Sequence, residues 1–289
     1  MSDRTSPSLP PLREVVARHA IAARSRLGQH FLFDLNLTAR IARAAGPLAG
    51  RNVIEVGPGP GGLTRALLDE ETRHVYAVER DPRCVAALAE VAAAYPGRLT
   101  IVEGDALEID WAHFAPAPRV VVANLPYNIA TVLLTGWLHA IGLFESLTLM
   151  FQREVALRLL AVPGTKDYGR LSVLTQWLTE PSALFTLPPR AFTPPPKVHS
   201  TVVRLTPRTE PLAPASIAMI ERVTAAAFGQ RRKMLRQSLR TLGVDTARLI
   251  ETAAVPPTAR AEDLDIAQFC ALARALETER ALSAPGSTT

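Results

Sequence analysis

The segment Asn52-Val-Ile-Glu-Val-Gly-Pro-Gly-Pro-Gly-Gly62 decides the fold, because it joins an apolar, β-branched run to a glycine-rich turn. Residues 63–68 follow with apolar side chains at helical spacing, so the chain is predicted to form a strand, a turn and a helix in succession. Glycines in such a turn let backbone approach a ligand at the carboxyl edge of a sheet. We therefore expect a ligand pocket at the end of this strand.

The same alternation of strand and helix continues as far as Leu187. The predicted strands are 52–57, 74–80, 99–105, 119–124, 146–151 and 183–187, and the predicted helices between them are 63–68, 85–94, 132–141 and 155–160. This order is typical of a doubly wound α/β domain with a mostly parallel sheet. The alternating run KVHSTVVRLTP, residues 197–207, adds one antiparallel strand to the prediction.

Beyond Pro214 the apolar pattern is wholly helical, which predicts a small all-α domain at the carboxyl end. The predicted helices are 217–228, 231–242, 246–253 and 264–276. We divide the chain into a flexible arm (1–23), a ligand-binding α/β domain (24–208), a helical domain (209–280) and a flexible tail (281–289).

The charge, cysteine content and hydropathy of the chain limit the classes of function that it can have. The formal net charge of +5 suits a polyanionic partner, although many basic proteins bind none. Cys84 and Cys270 lie far apart, and the six histidines show no metal-ligand spacing, so we expect neither disulfide nor metal. No run of about 18 apolar residues and no apolar leader is present, and we expect a soluble, cytoplasmic monomer without membrane contact.

Two acidic residues indicate the chemistry of the ligand. Glu79 ends the second strand, where it can accept ribose hydroxyls, and Asp105 ends the third, where it can accept an adenine amino group. The turn formally satisfies the GxGxxG pattern, so a nicotinamide dinucleotide is one alternative. Asp105, Glu55 and Pro58 favour S-adenosylmethionine instead, because a sulfonium compound needs no pyrophosphate cradle. A third interpretation is that the acids are solvated strand ends.

The fourth strand ends in Asn124-Leu125-Pro126-Tyr127, beside the predicted pocket. An adenine amino group is a poor nucleophile, since its lone pair is delocalised into the ring. The Asn124 side-chain oxygen and the Leu125 carbonyl can accept its two N–H groups and stabilise the charge that develops. Pro126 fixes the backbone, and Tyr127 offers a ring for stacking an extruded base. The alternative is an ordinary strand-terminating turn.

From about residue 26 to residue 270, the sequence resembles the KsgA-type ribosomal RNA adenine dimethyltransferases. The motifs that carry the resemblance are GQHFL (28–32), EVGPGPGGLT (55–64), VERD (78–81), GDAL (104–107), NLPYNI (124–129), FQREVA (151–156), YGRLSV (168–173), FTPPPKV (192–198) and FGQRRKMLRQSL (228–239). The resemblance implies a class I methyltransferase sheet of Rossmann type. It implies transfer of two methyl groups to N6 of each of two adjacent adenines in the 3′-terminal hairpin of 16S ribosomal RNA, within the 30S subunit or its precursor.

The resemblance also assigns site residues. Contacts to S-adenosylmethionine, and to its product S-adenosylhomocysteine, would be made by His30, Leu32, Gly57, Glu79, Asp105 and Asn124. His30 departs from the family pattern, since many relatives carry Asn there, and we expect altered affinity rather than lost binding. Phe192 is the candidate for stacking on the target base opposite Tyr127, with a core position that anchors its loop as the alternative.

A basic segment near the carboxyl end is the candidate RNA surface. Its residues are Arg231, Arg232, Lys233, Arg236 and Arg240. In the predicted helix 231–242, three of these arginines recur at four-residue spacing on one face, a pattern that can follow RNA phosphates. A solvated helix face is the alternative. Arg24 and Arg26, which flank the cofactor loop, are further candidates.

Three competing functions remain open at this point. A 23S ribosomal RNA adenine methyltransferase of the macrolide-resistance type shares the cofactor and Asn-x-Pro-aromatic motifs, but FTPPPKV and YGRLSV favour the small-subunit enzyme. A non-catalytic RNA-binding assembly factor could keep the fold without turnover, and the intact Asn-Leu-Pro-Tyr disfavours it. The third is an enzyme that uses NAD.

Overall fold

The computed structural model describes residues 8–22 and 29–283. The strands are β1 (Phe31–Leu32), β2 (Asn52–Val56), β3 (His74–Glu79), β4 (Leu99–Glu103), β5 (Arg119–Ala123), β6 (Ser146–Gln152), β7 (Thr179–Leu187), β8 (Phe192–Thr193) and β9 (Ser200–Pro207). Seven of them form one sheet in the order β4-β3-β2-β5-β6-β9-β7. Five neighbouring strands, from β4 to β6, are parallel, so the predicted doubly wound sheet is confirmed.

Strand β2 lies inside the sheet, between β3 and β5, and all five of its residues are buried. Its β-branched residues suit a strand that is covered on both faces. Strand β9 runs antiparallel to β6, with Gln152 opposite Ser200 and Leu147 opposite Leu205, which confirms the predicted antiparallel strand. Parallel pairing of β2 with β3 and β5 brings three carboxyl ends to one edge, where a ligand is expected.

The helices are α1 (Leu12–Arg18), α2 (Leu35–Ala44), α3 (Gly62–Asp69), α4 (Pro82–Ala94), α5 (Ala130–His139), α6 (Arg153–Leu160), α7 (Arg170–Leu178), α8 (Ile217–Gly229), α9 (Leu235–Ser238), α10 (Thr246–Thr252) and α11 (Ile266–Ser283). Helix α4 shows how local sequence sets a boundary. Its N-cap Asp81 accepts a hydrogen bond from the Arg83 amide, and Pro82 occupies the first helical position, where its missing N–H costs nothing.

The structure corrects one prediction near the amino terminus and adds a small sheet that the sequence did not indicate. The predicted flexible arm, residues 1–23, contains helix α1, whose Leu12 and Val15 are buried. Strands β1 and β8 pair as a separate two-stranded antiparallel sheet, with Leu32 opposite Phe192. Two-residue strands carry too little periodicity to be found from sequence. Arg24 and Arg26 lie outside the described residues, as does the part of the predicted tail beyond Ser283.

The chain forms two compact units. The first comprises the chain up to Ala156 together with Ser182–Pro207, and the second comprises Leu157–Pro181 together with the chain from Arg208 onward. The predicted helical domain, 209–280, therefore omitted the segment Leu157–Pro181, which belongs to the same unit. This segment joins the second unit through an aromatic cluster in which Tyr168 contacts Phe228 edge-on and Phe228 stacks on Phe269.

The predicted helix 231–242 is correct only in its later part, where residues 235–238 are α-helical and residues 239–242 form a 3₁₀ turn. Residues 231–233 form a turn, and Met234 makes an isolated antiparallel bridge with Arg260 instead of continuing a helix. The Leu235 amide donates to the Ala259 carbonyl, which fixes the chain at the start of the short helix α9. The predicted single face with three arginines at four-residue spacing therefore does not form.

Within residues 8–22 and 29–283, no helix has the length and apolar character that crossing a membrane requires. Over the same ranges, no three His, Cys, Asp or Glu side chains are grouped so that they could hold a metal ion.

Candidate active site

A cleft opens at the carboxyl ends of β2, β3 and β5, where the glycine turn meets the segment after β5. Its described lining residues are Gln29, His30, Phe31, Leu32, Glu55, Gly57, Pro58, Gly59, Pro60, Gly62, Leu63, Glu79, Asn124, Leu125, Pro126 and Tyr127. A Cβ atom built on Gly57 would lie 3.2 Å from Cδ of Pro126, so the glycine turn and the Asn-Leu-Pro-Tyr segment are in contact. The structure thus brings together most of the predicted cofactor and catalytic residues.

The side chain of Asn124 is held in one orientation. Its amide nitrogen Nδ2 donates to the main-chain carbonyl oxygen of His30 over 3.1 Å. A carbonyl oxygen can only accept, so the nitrogen of the amide must face His30 and the oxygen Oδ1 must face the other way. This orientation leaves Oδ1, the hydrogen-bond acceptor, available to a ligand in the cleft.

Three rings lie together next to Asn124. The His30 and Tyr127 ring centroids are 5.3 Å apart, and the Phe192 ring meets His30 edge-on at 6.5 Å. Nδ1 of His30 bonds to the Pro194 carbonyl at 2.8 Å, so this nitrogen carries the hydrogen. The Tyr127 hydroxyl bonds to the Ser200 hydroxyl at 2.5 Å, and burial raises the pKa of the Tyr127 phenol. These bonds fix the orientation of the His30 and Tyr127 rings at the cleft.

Phe192 does not have the predicted role of a stacking residue in this conformation. Only 3% of its surface is exposed, and it belongs to the main hydrophobic core of the α/β unit. Its pairing with Leu32 across the small sheet explains the burial. The alternative from the sequence, a core residue that anchors the following loop, describes its position.

Glu79 fastens the glycine turn. Its Oε2 accepts from the Gly59 amide at 3.0 Å, and its Oε1 accepts from the Arg80 and Asp81 amides at 2.8 and 2.9 Å. The residue is buried, and desolvation raises the pKa of its carboxyl group, while the three amide donors oppose the shift. Each carboxylate oxygen has two lone pairs, so Oε2 can still accept from a ribose hydroxyl.

Glu55 was named from sequence only as an acid before the turn. It is 1% exposed, and its Oε2 accepts from the Thr64 hydroxyl of α3 at 2.7 Å. Desolvation raises the pKa of Glu55 to about 8, against the opposing effect of the Thr64 hydrogen bond. Thr64 lies within the motif EVGPGPGGLT but gave no signal of this contact.

Asp105 departs from its predicted position. It is not among the described residues that line the cleft. One oxygen, Oδ1, accepts from the Leu107 amide and caps a short 3₁₀ turn, and the other, Oδ2, pairs with Nη1 of Arg80 at 3.0 Å. The side chain of Arg80 is 76% exposed, so this pair is weak.

The cleft is acidic. Its described lining includes two buried carboxyl groups, Glu55 and Glu79, and no Arg or Lys. A buried carboxylate with no basic residue beside it disfavours an anionic ligand and favours a cation. The site therefore suits a sulfonium compound better than a pyrophosphate.

The predicted RNA residues lie in the helical unit and differ in exposure. Arg232, Lys233, Arg236 and Arg240 are exposed. Arg231 instead binds within its own unit, since Nε pairs with Glu262 at 2.8 Å and two further N–H groups donate to the carbonyls of Tyr168 and Thr165. These three bonds hold the Arg231 guanidinium against its own unit, so Arg231 suits the predicted phosphate contact less well than the four exposed cations.

The chain matches a known protein family over most of its length. The family model described as "Ribosomal RNA adenine dimethylase" matches residues 20–278 of the chain. The chain belongs to the ribosomal RNA adenine dimethylase family. The predicted class of enzyme is thereby confirmed, and the NAD-dependent alternative is excluded.

Relatives in this dimethylase family are similar over nearly their whole length. The chain is 64% identical to "Ribosomal RNA small subunit methyltransferase A" of Rhodospirillum rubrum over 269 residues, which is 93% of both chains. It is 62% identical to the protein of the same name from Paramagnetospirillum magneticum, over 93% of this chain and 95% of the relative.

Two solved structures share the dimethylase fold. A dimethyladenosine transferase from Plasmodium falciparum superposes with a TM-score of 0.74 at 24% identity, over 87% of this chain and 98% of that one. The 23S rRNA methyltransferase ErmE superposes with a TM-score of 0.63 at 31% identity, over 86% of this chain and 99% of that one.

Proposed function

We propose that this chain transfers methyl groups from S-adenosylmethionine to N6 of two adjacent adenines in the 3′-terminal hairpin of 16S ribosomal RNA, and that it acts in assembly of the 30S subunit. The orientation of Asn124 carries the proposal. Its amide nitrogen faces His30 and the residue lines the cleft, so its amide oxygen would be the acceptor for a target amino group there. The names of the relatives from Rhodospirillum rubrum and Paramagnetospirillum magneticum support the small subunit as substrate.

S-adenosylmethionine supplies an electrophilic methyl group on a sulfonium sulfur. The chain supplies the surroundings in which an amino group can attack it. Oδ1 of Asn124 and the carbonyl of Leu125 accept the two N–H groups of the adenine, which localises the nitrogen lone pair and stabilises the positive charge formed in the transition state. The methylated nitrogen then releases a proton to solvent.

The base must leave the RNA stack to reach this position. Tyr127 offers a ring whose hydroxyl is fixed by Ser200, and the neighbouring His30 ring is fixed by Pro194. Because these rings are already fixed, no conformational entropy is lost in ordering them when the base binds. This positioning contributes to the rate of methyl transfer. The second transfer has one N–H fewer to hold and depends more on this stacking.

Binding of the methyl donor is assigned to residues of the glycine turn and its neighbours. Glu79 would accept a ribose hydroxyl, and the main chain at Gly57 and Leu32 would border the donor. Asp105 would have to reach the adenine from outside the described cleft lining, with the lone pairs that its bonds to Arg80 and Leu107 leave free.

RNA binding is assigned to four exposed cations of the helical unit. Arg232, Lys233, Arg236 and Arg240 would neutralise phosphates without reading sequence. Recognition of a folded RNA by its shape is the physical expectation for such contacts. Each lost contact should reduce the salt dependence of binding.

The decisive experiment uses 30S particles from a strain that lacks this protein and, in a parallel reaction, purified 23S ribosomal RNA. Purified enzyme and S-adenosylmethionine with a labelled methyl group are added, and the adenines are then analysed by mass spectrometry. N6,N6-dimethyladenosine at two adjacent positions near the 3′ end is expected. Label in 23S ribosomal RNA alone would support the large-subunit alternative, and no label in either RNA would favour a non-catalytic assembly factor.

A further inference from the structure

Glu55 has a position that the transfer chemistry described above does not use. It lies at the end of β2, lines the cleft and is 1% exposed. The polar groups that face it are the Thr64 hydroxyl from α3 and the Glu79 carboxyl from β3. Over the described lining of the cleft no Arg or Lys compensates these two acids.

The two carboxyl groups differ in their hydrogen bonds. Glu79 accepts three backbone N–H donors, which favour its ionised form. Glu55 accepts a single hydroxyl, on Oε2. Burial therefore dominates at Glu55 and raises its pKa to about 8, so at neutral pH the free protein holds a proton there.

The two ligands of the proposed reaction differ in charge at sulfur. The methyl donor is a sulfonium cation, and the product, S-adenosylhomocysteine, is a neutral thioether. A cation in this cleft stabilises the ionised form of a buried carboxyl group, and a neutral ligand does not. Transfer breaks the bond between sulfur and the methyl carbon, and the electron pair of that bond stays on sulfur and cancels its charge.

We propose that Glu55 is the proton-exchanging countercharge of the methyl-donor pocket, which loses its proton to solvent when the sulfonium donor binds and regains it when the neutral product takes the donor's place. Glu55 is a positioning residue in this account and does not touch the reacting nitrogen. When Glu55 is protonated again, the pocket binds the product less tightly than it binds the donor. This difference in affinity assists the exchange of product for donor. The inference rests on the proposed use of S-adenosylmethionine.

The test compares the affinities of S-adenosylmethionine and S-adenosylhomocysteine from pH 6 to pH 8 by titration calorimetry. Both ligands carry the same α-amino group, so the ratio of their affinities cancels its titration. Because the donor needs the ionised fraction of Glu55, the ratio in wild type should rise by about ninefold from pH 6 to pH 7 and by about fivefold from pH 7 to pH 8. In Glu55→Gln it should stay constant.

Proton release gives a second readout that does not depend on turnover. Calorimetry at pH 7 in buffers of different ionisation enthalpy should show about one more proton released with the donor than with the product, because most Glu55 is protonated before binding. This difference should vanish in Glu55→Gln and persist in Glu103→Gln, which makes the same exchange at an exposed strand end outside the cleft.

Two results would overturn the inference in distinguishable ways. If both ligands bind and their affinity ratio does not change with pH, Glu55 is not the exchanging group, and the proposed function is untouched. If neither ligand binds at any pH, the proposed methyl donor is wrong and the inference falls with it.

Discussion

Replacement of Gly57 by alanine tests whether the glycine turn sets the position of the Asn-Leu-Pro-Tyr segment. Gly57 has φ +69°, and a Cβ built there lies 3.2 Å from Cδ and 3.4 Å from Cγ of Pro126. Gly50 is a matched control, since its φ is +71° and no atom lies within 4 Å of its added Cβ. Left-handed backbone costs a residue with a side chain about 1 to 2 kcal/mol, so both variants should lose similar stability.

Only Gly57→Ala should also impair catalysis. The contact at 3.2 Å forces Pro126, and with it the Leu125 carbonyl, to move by a few tenths of an ångström. A misplacement of 1 Å costs on the order of 10²-fold in rate, so we expect kcat to fall by about tenfold. Urea denaturation measures the stability loss, and transfer of labelled methyl groups to 30S particles measures kcat. Equal kcat values for the two variants would refute the proposed contact between turn and catalytic segment.

Three further predictions concern Phe192, Arg231 and Glu55. Phe192→Ala should lower the free energy of unfolding by about 3 to 5 kcal/mol. Phe192→Leu should recover most of that stability and should retain methyl transfer. A stable Phe192→Leu protein that does not transfer methyl groups would instead support the stacking role of Phe192. Arg231→Ala should destabilise the protein by about 1 to 2 kcal/mol in chemical denaturation, because it removes the hydrogen bonds to Glu262, Tyr168 and Thr165, whereas Arg236→Ala should keep stability and weaken RNA binding. An Arg231→Ala protein of normal stability but weak RNA affinity would contradict this assignment. The folded state holds the Glu55 proton more tightly than the unfolded state does. Without ligand, the free energy of unfolding should therefore fall as pH rises from about 4.5 to about 8. Glu55→Gln should remove the contribution of Glu55 to this decrease. An unchanged pH profile in Glu55→Gln would contradict the raised pKa.

The α/β core was predictable because strong local patterns agree with the buried environment. The run at β2 is apolar and β-branched, and all five of its residues are buried. Strand boundaries differed by a few residues, most at β7, which begins at Thr179 instead of residue 183. The polar and proline-containing start of β7 hides that extension from a periodicity reading.

The basic segment shows why local pattern failed in the helical unit. Residues 231–242 have good intrinsic helix formers, which favoured one continuous helix. Tertiary contacts override that propensity, because Met234 bridges to Arg260 and Arg231 pairs with Glu262. Contacts between residues about 30 positions apart leave no periodic trace in the sequence.

The sequence predicted most of the residues that line the candidate site but not their hydrogen-bond partners. Asn124, Tyr127 and Glu79 line the cleft as their positions at strand ends indicated. Ser200 as the partner of Tyr127 and the His30 carbonyl as the partner of Asn124 were not foreseen, since each joins residues more than 70 positions apart.

The single-turnover rate of Asn124→Ala tests the central claim most directly. Asn36→Ala, with an exposed side chain on α2, is the control for the same exchange outside the cleft. With enzyme in excess over 30S particles, Asn124→Ala should transfer methyl groups about 10² to 10³ times more slowly than wild type, because a fixed acceptor for the amino group is lost, while RNA affinity is unchanged. A wild-type rate in Asn124→Ala would contradict the claim that this amide oxygen activates the adenine.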